Sequence, residues 1–222
     1  MAQVISAQQA TGLVRPGDTV MVGGFGLVGA PLSLIAALVE SEVDGLTIIS
    51  NNLGEPGRGL GRLLQAGKVG KAVGSFFTSN PDVIDSHEAG RLEVELIPQG
   101  TMAEAIRAGG AGIPAFYTPT GAGTMLAVGK ETRDFGGREH MLQPALQADV
   151  AFIRAHRADE LGNLSYRRTA RNFNPEMATA AAITVAEVDE IVAVGELAPE
   201  QIDTPHLFID HLVVATERLG DR

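Results

Sequence analysis

Thr19-Val20-Met21-Val22-Gly23-Gly24-Phe25-Gly26-Leu27-Val28-Gly29-Ala30-Pro31 is the stretch whose reading decides the fold. A short apolar run with strand character opens into four glycines within seven residues. Pro31 then leads a helical pattern with Leu32, Ile35, Leu38 and Val39 on one face. The order is strand, loop, helix. Glycines let a ligand approach backbone N–H groups, and a helix N-terminus offers unpaired donors and a partial positive charge. The expected guest is an anionic cofactor.

Gly24-Phe25-Gly26-Leu27-Val28-Gly29 also satisfies the dinucleotide pattern G-x-G-x-x-G. A dinucleotide site wants an acidic residue at the end of the next strand to hold a ribose hydroxyl. The next strand, Leu46-Thr47-Ile48-Ile49-Ser50, ends instead in Asn51-Asn52. A nicotinamide enzyme is therefore the weaker reading. The bland alternative is a loop whose glycines only permit close packing.

Working outward, the chain continues the alternation of strands and helices. Ser6-Ala7-Gln8-Gln9 forms a capping box before a short helix that stops at Arg15-Pro16-Gly17-Asp18. After the strand 46–50 comes Asn51-Asn52-Leu53-Gly54-Glu55-Pro56-Gly57-Arg58-Gly59, too long and glycine-rich for a simple connector. A helix over 60–66 and a strand over 71–77 follow. Leu92–Ile97 alternates at period two and meets Pro98-Gln99-Gly100, and Thr101-Met102-Ala103-Glu104 reads as a second capping box. If these strands are parallel, the glycine loop, Asn51-Asn52 and Gln99 all lie at strand C-termini, the edge where open α/β sheets bind ligands. Turn chemistry is the competing account of each amide.

Further along, 108–123 is too rich in glycine to be regular throughout, and 130–142 reads as a hairpin turning at Asp134-Phe135-Gly136-Gly137. Asp149–Ile153 reads as a buried strand. Asn174-Pro175-Glu176 starts a helix with Asn174 as its N-cap, and 183–188, 190–194 and 208–214 are later strands. Residues 1–222 form one α/β domain on this reading, built on a core of Ala, Val, Ile and Leu, since Trp is absent.

A formal charge of −10 argues against nucleic acid or an anionic membrane as partner. The absence of Cys removes disulfides, thiol nucleophiles and Cys-ligated metals, and the five histidines show no metal spacing. No signal-like segment opens the chain, so a cytoplasmic location is expected. The basic cluster Arg167-Arg168-Thr169-Ala170-Arg171 has two readings: contact with phosphate, or salt bridges to a partner or to Asp159 and Glu160.

The glycine loop, Pro98-Gln99-Gly100-Thr101, Gly109-Gly110-Ala111-Gly112-Ile113-Pro114, Thr118-Pro119-Thr120-Gly121 and Thr169-Ala170-Arg171-Asn172-Phe173-Asn174-Pro175, taken in this order, resemble family I coenzyme A transferases. The narrower resemblance is to the alpha (A-type) subunit of the two-subunit 3-oxoacid CoA-transferases, of acetate/acetoacetate or 3-oxoadipate type, from about Ile5 to about Ala215. It implies a three-layer α/β domain with a mixed, mainly parallel central sheet. It also implies a partner, the beta (B-type) subunit of the CoA-transferase, in a heterotetramer with two of each. Coenzyme A is the implied substrate, with no tightly bound cofactor, moving between an acyl-CoA and a carboxylic acid. The nucleophilic Glu of the family lies in a Glu-Asn-Gly-type segment of the beta subunit, and no Glu-Asn-Gly occurs here, so this chain supplies no catalytic carboxylate. Its implied share is the CoA-binding loop, matching Gly23, Gly24, Phe25, Gly26, Leu27, Val28 and Gly29, and the acyl-pocket amides matching Asn51, Asn52 and Gln99. A sugar-phosphate isomerase, or a phosphate-ligand sensor on a similar sheet, is the alternative; it requires a general base in the crevice, where Glu55 is the only nearby carboxylate.

Overall fold

In the computed structural model, which describes residues 1–219, the glycine stretch emerges from the middle of a nine-stranded sheet. Strands β1 (Gln3–Val4), β2 (Thr19–Val22), β3 (Leu46–Ile49), β4 (Val69–Gly74) and β5 (Glu93–Leu96) come from the first half of the chain. Ala115–Thr118, Thr132–Phe135 and Arg138–Pro144 are β6, β7 and β8. The second half returns with β9 (Ala148–Asp159), β10 (Leu164–Ser165), β11 (Ala181–Val192) and β12 (His211–Val214). The large sheet runs β1-β12-β11-β9-β2-β3-β4-β5, every neighbouring pair parallel, while β10 pairs antiparallel with β9. This is the mixed, mainly parallel α/β sheet that the family resemblance implies.

Successive strand residues face opposite sides, and both sides are apolar, as a sheet covered on two faces requires. Val20, Val22, Ile48, Val150 and Phe152 pack with α2 (Leu32–Glu40) and α3 (Leu60–Gln65); α1 (Ala7–Thr11) and α4 (Pro81–Glu88) share that layer. Met21, Ile49, Ala151 and Ile153 face the other way, against α5 (Gln99–Gly110) and α6 (Asn174–Thr179). Helices this short are marginal alone. Burying Leu34, Ile35 and Leu38, each about 2 kcal/mol in transfer terms, is what holds α2 to the sheet.

The Ser6 capping box is present, Ser6 and Gln9 each bonding the other's backbone amide. The second one is not. α5 already begins at Gln99, Thr101 is buried inside its first turn, and Glu104 pairs with Arg107 at 2.7 Å. Gln99 is thus the first helical residue, behind Pro98. Asn174 is likewise not a cap: Phe173 holds that position, and the Asn174 side chain turns inward. β9 and β11 are each 12 residues long, where the sequence suggests one short strand and two fragments. The interruptions are charges that answer one another across the ladder. Arg154 lies opposite Glu187 and Arg157 opposite Glu190, with Arg154–Asp189 at 2.5 Å and Arg157–Glu190 at 3.0 Å. Phe208 falls in a 3-10 turn, and the last strand starts only at His211.

The hairpin near 130–142 is formed by β7 and β8, turning through Gly136 and Gly137 with φ of 65° and 80°, the conformation a tight hairpin needs. β6 completes it as a separate three-stranded antiparallel sheet, a pairing not anticipated from sequence.

Candidate functional site

The glycine loop leaves β2 and closes on itself, Phe25 and Val28 each donating its N–H to the other's carbonyl. Segment 169–174 clamps it from outside. Asn172 Oδ1 accepts from Gly24 N–H at 3.1 Å, and Asn172 Nδ2 donates to the Val28 carbonyl at 3.0 Å. Asn174 Nδ2 donates to the Gly29 and Ala170 carbonyls, and Asn174 Oδ1 accepts from the Arg154 N–H at 2.8 Å. A Cβ on Gly23 would fall 1.8 Å from Asn174 Oδ1, and one on Gly29 would fall 2.4 Å from the Ala170 carbonyl. These two glycines are required by the approach of the chain's own asparagines. Both asparagines lie in a motif legible in the sequence, but what they bond to was not.

Two N–H groups of the following helix N-terminus are already taken by an acid of the chain itself. Glu187, on β11 and fully buried, accepts from the N–H of Ser33 at 2.9 Å and of Leu34 at 3.0 Å. The negative charge expected from a guest comes from the chain itself, and the loop amides that have no acceptor among the described residues are those of Gly26, Leu27 and Gly29. Burial pushes the Glu187 carboxyl up to about 7 against the opposing pull of Arg154 and the two amides. The nearest charge, Arg154 Nε, stands 3.9 Å from Glu187 Oε1. A carboxylate inside an apolar strand pattern is the signal that marks Glu187 in sequence.

Beside the loop, a crevice of about 490 Å³ opens at the C-terminal ends of β2, β3 and β4. It brings together Phe25, Gly26, Asn51, Asn52 and Gln99, which the sequence singles out, with Ser75 and Phe76, which it does not. Ser75 Oγ donates to Asn51 Oδ1 at 2.7 Å, and Gln99 Nε2 donates to the same oxygen at 2.9 Å. With its oxygen doubly occupied, Asn51 keeps its Nδ2 as a donor. Asn52 is more local, its Oδ1 accepting from Gly54 N–H in the turn chemistry of an Asx residue. Buried Asn80 braces the loop from below by donating to the Leu53 carbonyl while capping α4. Glu55 lines the crevice but is half exposed and paired with Arg58 at 2.8 Å. Of the arginine cluster, Arg171 pairs with Asp203, not with Asp159 or Glu160; Asp159 instead accepts from the backbone of Leu161, Gly162 and Asn163. Among the described residues no group of His, Asp and Glu side chains could hold a metal, and no helix is long and apolar enough to cross a membrane.

The coenzyme A transferase family model matches residues 4–215. The chain belongs to the coenzyme A transferase family. It is 55% identical to the A-type subunit of the succinyl-CoA:3-ketoacid coenzyme A transferase of Xanthomonas campestris pv. campestris, over 91% of this chain and 84% of that protein. It is 47% identical to the alpha subunit of the acetate CoA-transferase of Escherichia coli K12, over 97% of this chain and 98% of that protein. Among solved structures, the acyl-CoA transferase of E. coli O157:H7, in thioester complex with CoA, superposes with a TM-score of 0.88 at 24% identity. That match takes in 98% of this chain and 48% of the longer one, and at this identity it speaks for the fold. Membership in the CoA-transferase family takes the place of the isomerase, sensor and nicotinamide alternatives.

Proposed function

We propose that this chain is the alpha subunit of a two-subunit CoA-transferase, a single domain that moves coenzyme A between an acyl-CoA and a short 3-oxoacid or related acid. The observation that carries the site assignment is the convergence of Ser75 and Gln99 on Asn51 Oδ1, which commits the Asn51 amide as a hydrogen-bond donor in the crevice.

In this reading the reaction is ping-pong, and the nucleophile is a glutamate carboxylate of the beta subunit. It attacks the thioester carbonyl, the oxyanion collapses, and the C–S bond breaks to leave an acyl-glutamyl anhydride and CoA thiolate. The thiolate then attacks the glutamyl carbonyl, releasing the first acid and leaving a glutamyl-CoA thioester, from which the second acid takes CoA by the reverse steps. A carboxylate nucleophile conserves the thioester free energy. This chain contributes neutral donors: Asn51, Asn52 and the free loop amides stabilise negative charge as it develops, without an ion pair that would trap the product acid. Water must be kept out, or the anhydride hydrolyses. Phe25 and Phe76, each about half exposed at the crevice, supply apolar rim for the partner to cover.

The relatives named as A-type or alpha subunits support the existence of a partner, and a heterotetramer with two of each is the assembly we propose. Coenzyme A enters as a substrate, and the location proposed is the cytoplasm. Co-purification of the tagged chain from its source tests this reading. The expected result is a stoichiometric second polypeptide of similar size and a complex that exchanges labelled CoA between thioesters and acids, with neither polypeptide active alone. A lone chain, or activity without a partner, overturns it.

A further inference from the structure

The loop after β3 folds into the same kind of closed hairpin as the glycine loop after β2. Glu55 and Arg58 each donate an N–H to the other's carbonyl, at 3.3 and 2.9 Å, as Phe25 and Val28 do in the first loop. The two hairpins differ in what those positions carry. Where the first has two apolar side chains, the second has an acid and a base, joined through Arg58 Nη1 and Glu55 Oε2 at 2.8 Å. The second hairpin is also seated directly on the first turn of α3. A Cβ on Gly61 would fall 1.9 Å from the Glu55 carbonyl, and one on Gly54 would fall 2.5 Å from the Arg58 carbonyl and 2.8 Å from the Gly61 nitrogen. The charged pair is therefore carried on a backbone that has little room to shift.

The two charges of the pair border different spaces. Glu55 lines the amide crevice, whereas Arg58 lines a separate, smaller cleft of about 190 Å³ together with Leu27 and Gly59. The crevice wall is otherwise made of glycines, phenyl rings, amides and hydroxyls. Among the described residues that line it, Glu55 is thus the one ionisable group, and its charge is negative.

We propose that Glu55 is a specificity-determining residue: the crevice takes carboxylic acids whose tail is neutral and discriminates against acids that carry a second carboxylate. The inference rests on the transferase reading and narrows its substrate class. When the Asn51 amide holds the reacting end of the acid, the tail lies along the remaining wall. A 3-oxo oxygen is a neutral acceptor, which side-chain amides satisfy. A terminal carboxylate instead meets Glu55, and Phe25 and Phe76 give it no hydrogen bond to replace those it made with water. Two like charges about 5 Å apart in a partly buried site repel enough for a discrimination of about 10- to 100-fold. Arg58 does not relieve this, because its guanidinium is already bonded to Glu55. Specificity here comes from a repulsive element, with no new attraction needed for the favoured acid.

The test uses the assembled two-subunit enzyme, as wild type, Glu55→Gln and Arg58→Ala, with acetyl-CoA as donor and butyrate or succinate as acceptor. These acids have equal chain length and differ in the terminal group. Wild type prefers butyrate in kcat/KM. Glu55→Gln lowers the butyrate-to-succinate ratio by about 10- to 100-fold, because it removes the repelling charge and frees Arg58. Arg58→Ala leaves Glu55 in place and keeps the ratio at its wild-type value or above. A wild type that prefers succinate, a ratio that falls less than about tenfold in Glu55→Gln, or an equal loss with both acids overturns the proposal. So does an Arg58→Ala variant that lowers the ratio as Glu55→Gln does, since the pair would then act only as a brace of the hairpin. A wild-type complex that exchanges CoA with neither acid fails the transferase reading itself, before either variant is considered.

Discussion

Asn174 Oδ1 occupies the space that a side chain at Gly23 would need, 1.8 Å from where a Cβ would stand. That oxygen cannot simply withdraw, because it accepts the Arg154 N–H at 2.8 Å while the same amide's nitrogen holds the Gly29 carbonyl at 3.0 Å. The end of β2, the glycine loop and β9 are therefore locked together by one buried side chain.

Gly23→Ala is expected to destabilise the chain by about 1–3 kcal/mol, the usual range for overpacking a dense site. Asn174→Gly costs stability through its lost hydrogen bonds but opens the space, so the double variant loses less than the sum of the two. Urea denaturation of the four proteins in the cycle measures the coupling. Strict additivity would mean that the loop shifts freely and that the clash is not what selects glycine.

The Asn51 amide is predicted to act on the transition state, with Ser75 and Gln99 acting through it. Asn51→Ala lowers kcat of the assembled enzyme by about 100-fold, as removal of one oxyanion donor does elsewhere. Gln99→Ala has a smaller effect, about tenfold, because Ser75 still holds Asn51 Oδ1 from the other side at 2.7 Å. Steady-state kinetics with both substrates varied would check this. Equal kcat in Gln99→Ala and wild type removes Gln99 from the site.

Glu187 gives the protein a pH signature. Its carboxyl is pushed from 4.5 up to about 7 by burial, so between those values the folded chain keeps a proton that the unfolded chain has released. The stability it contributes is present below about pH 4.5 and is lost as pH rises through about 7, a total on the order of 3 kcal/mol. Asp189 acts in the opposite sense, but only at more acidic pH: its burial is outweighed by His156 and Arg154, which draw its carboxyl below the ordinary value. Melting temperatures of wild type and Glu187→Gln from about pH 5 to about pH 8 should therefore diverge, wild type losing more stability as pH rises. Parallel curves would show that Glu187 stays ionised throughout.

The mainly parallel sheet was implied by the family resemblance; the sequence by itself determined the alternation of strands and helices and the three polar loops that follow strands. These follow from local periodicity: apolar runs of strand length, helical spacing after Pro31, and glycines where the chain must turn. The family, too, was legible in ordered short motifs. Tertiary structure decided what each polar group is for. Charged residues that appeared to end β9 and split β11 continue them, because their counter-charges sit opposite on a strand about 30 residues away in the chain. Two N–H groups of the helix N-terminus expected to await an anion are taken by Glu187, more than 150 residues on, and Asn174, read as a cap, became the brace of the glycine loop. Such partnerships depend on which strands lie side by side. Hydrogen bonding is satisfied by whatever group the fold brings within about 3 Å, and a linear pattern carries no record of that neighbour.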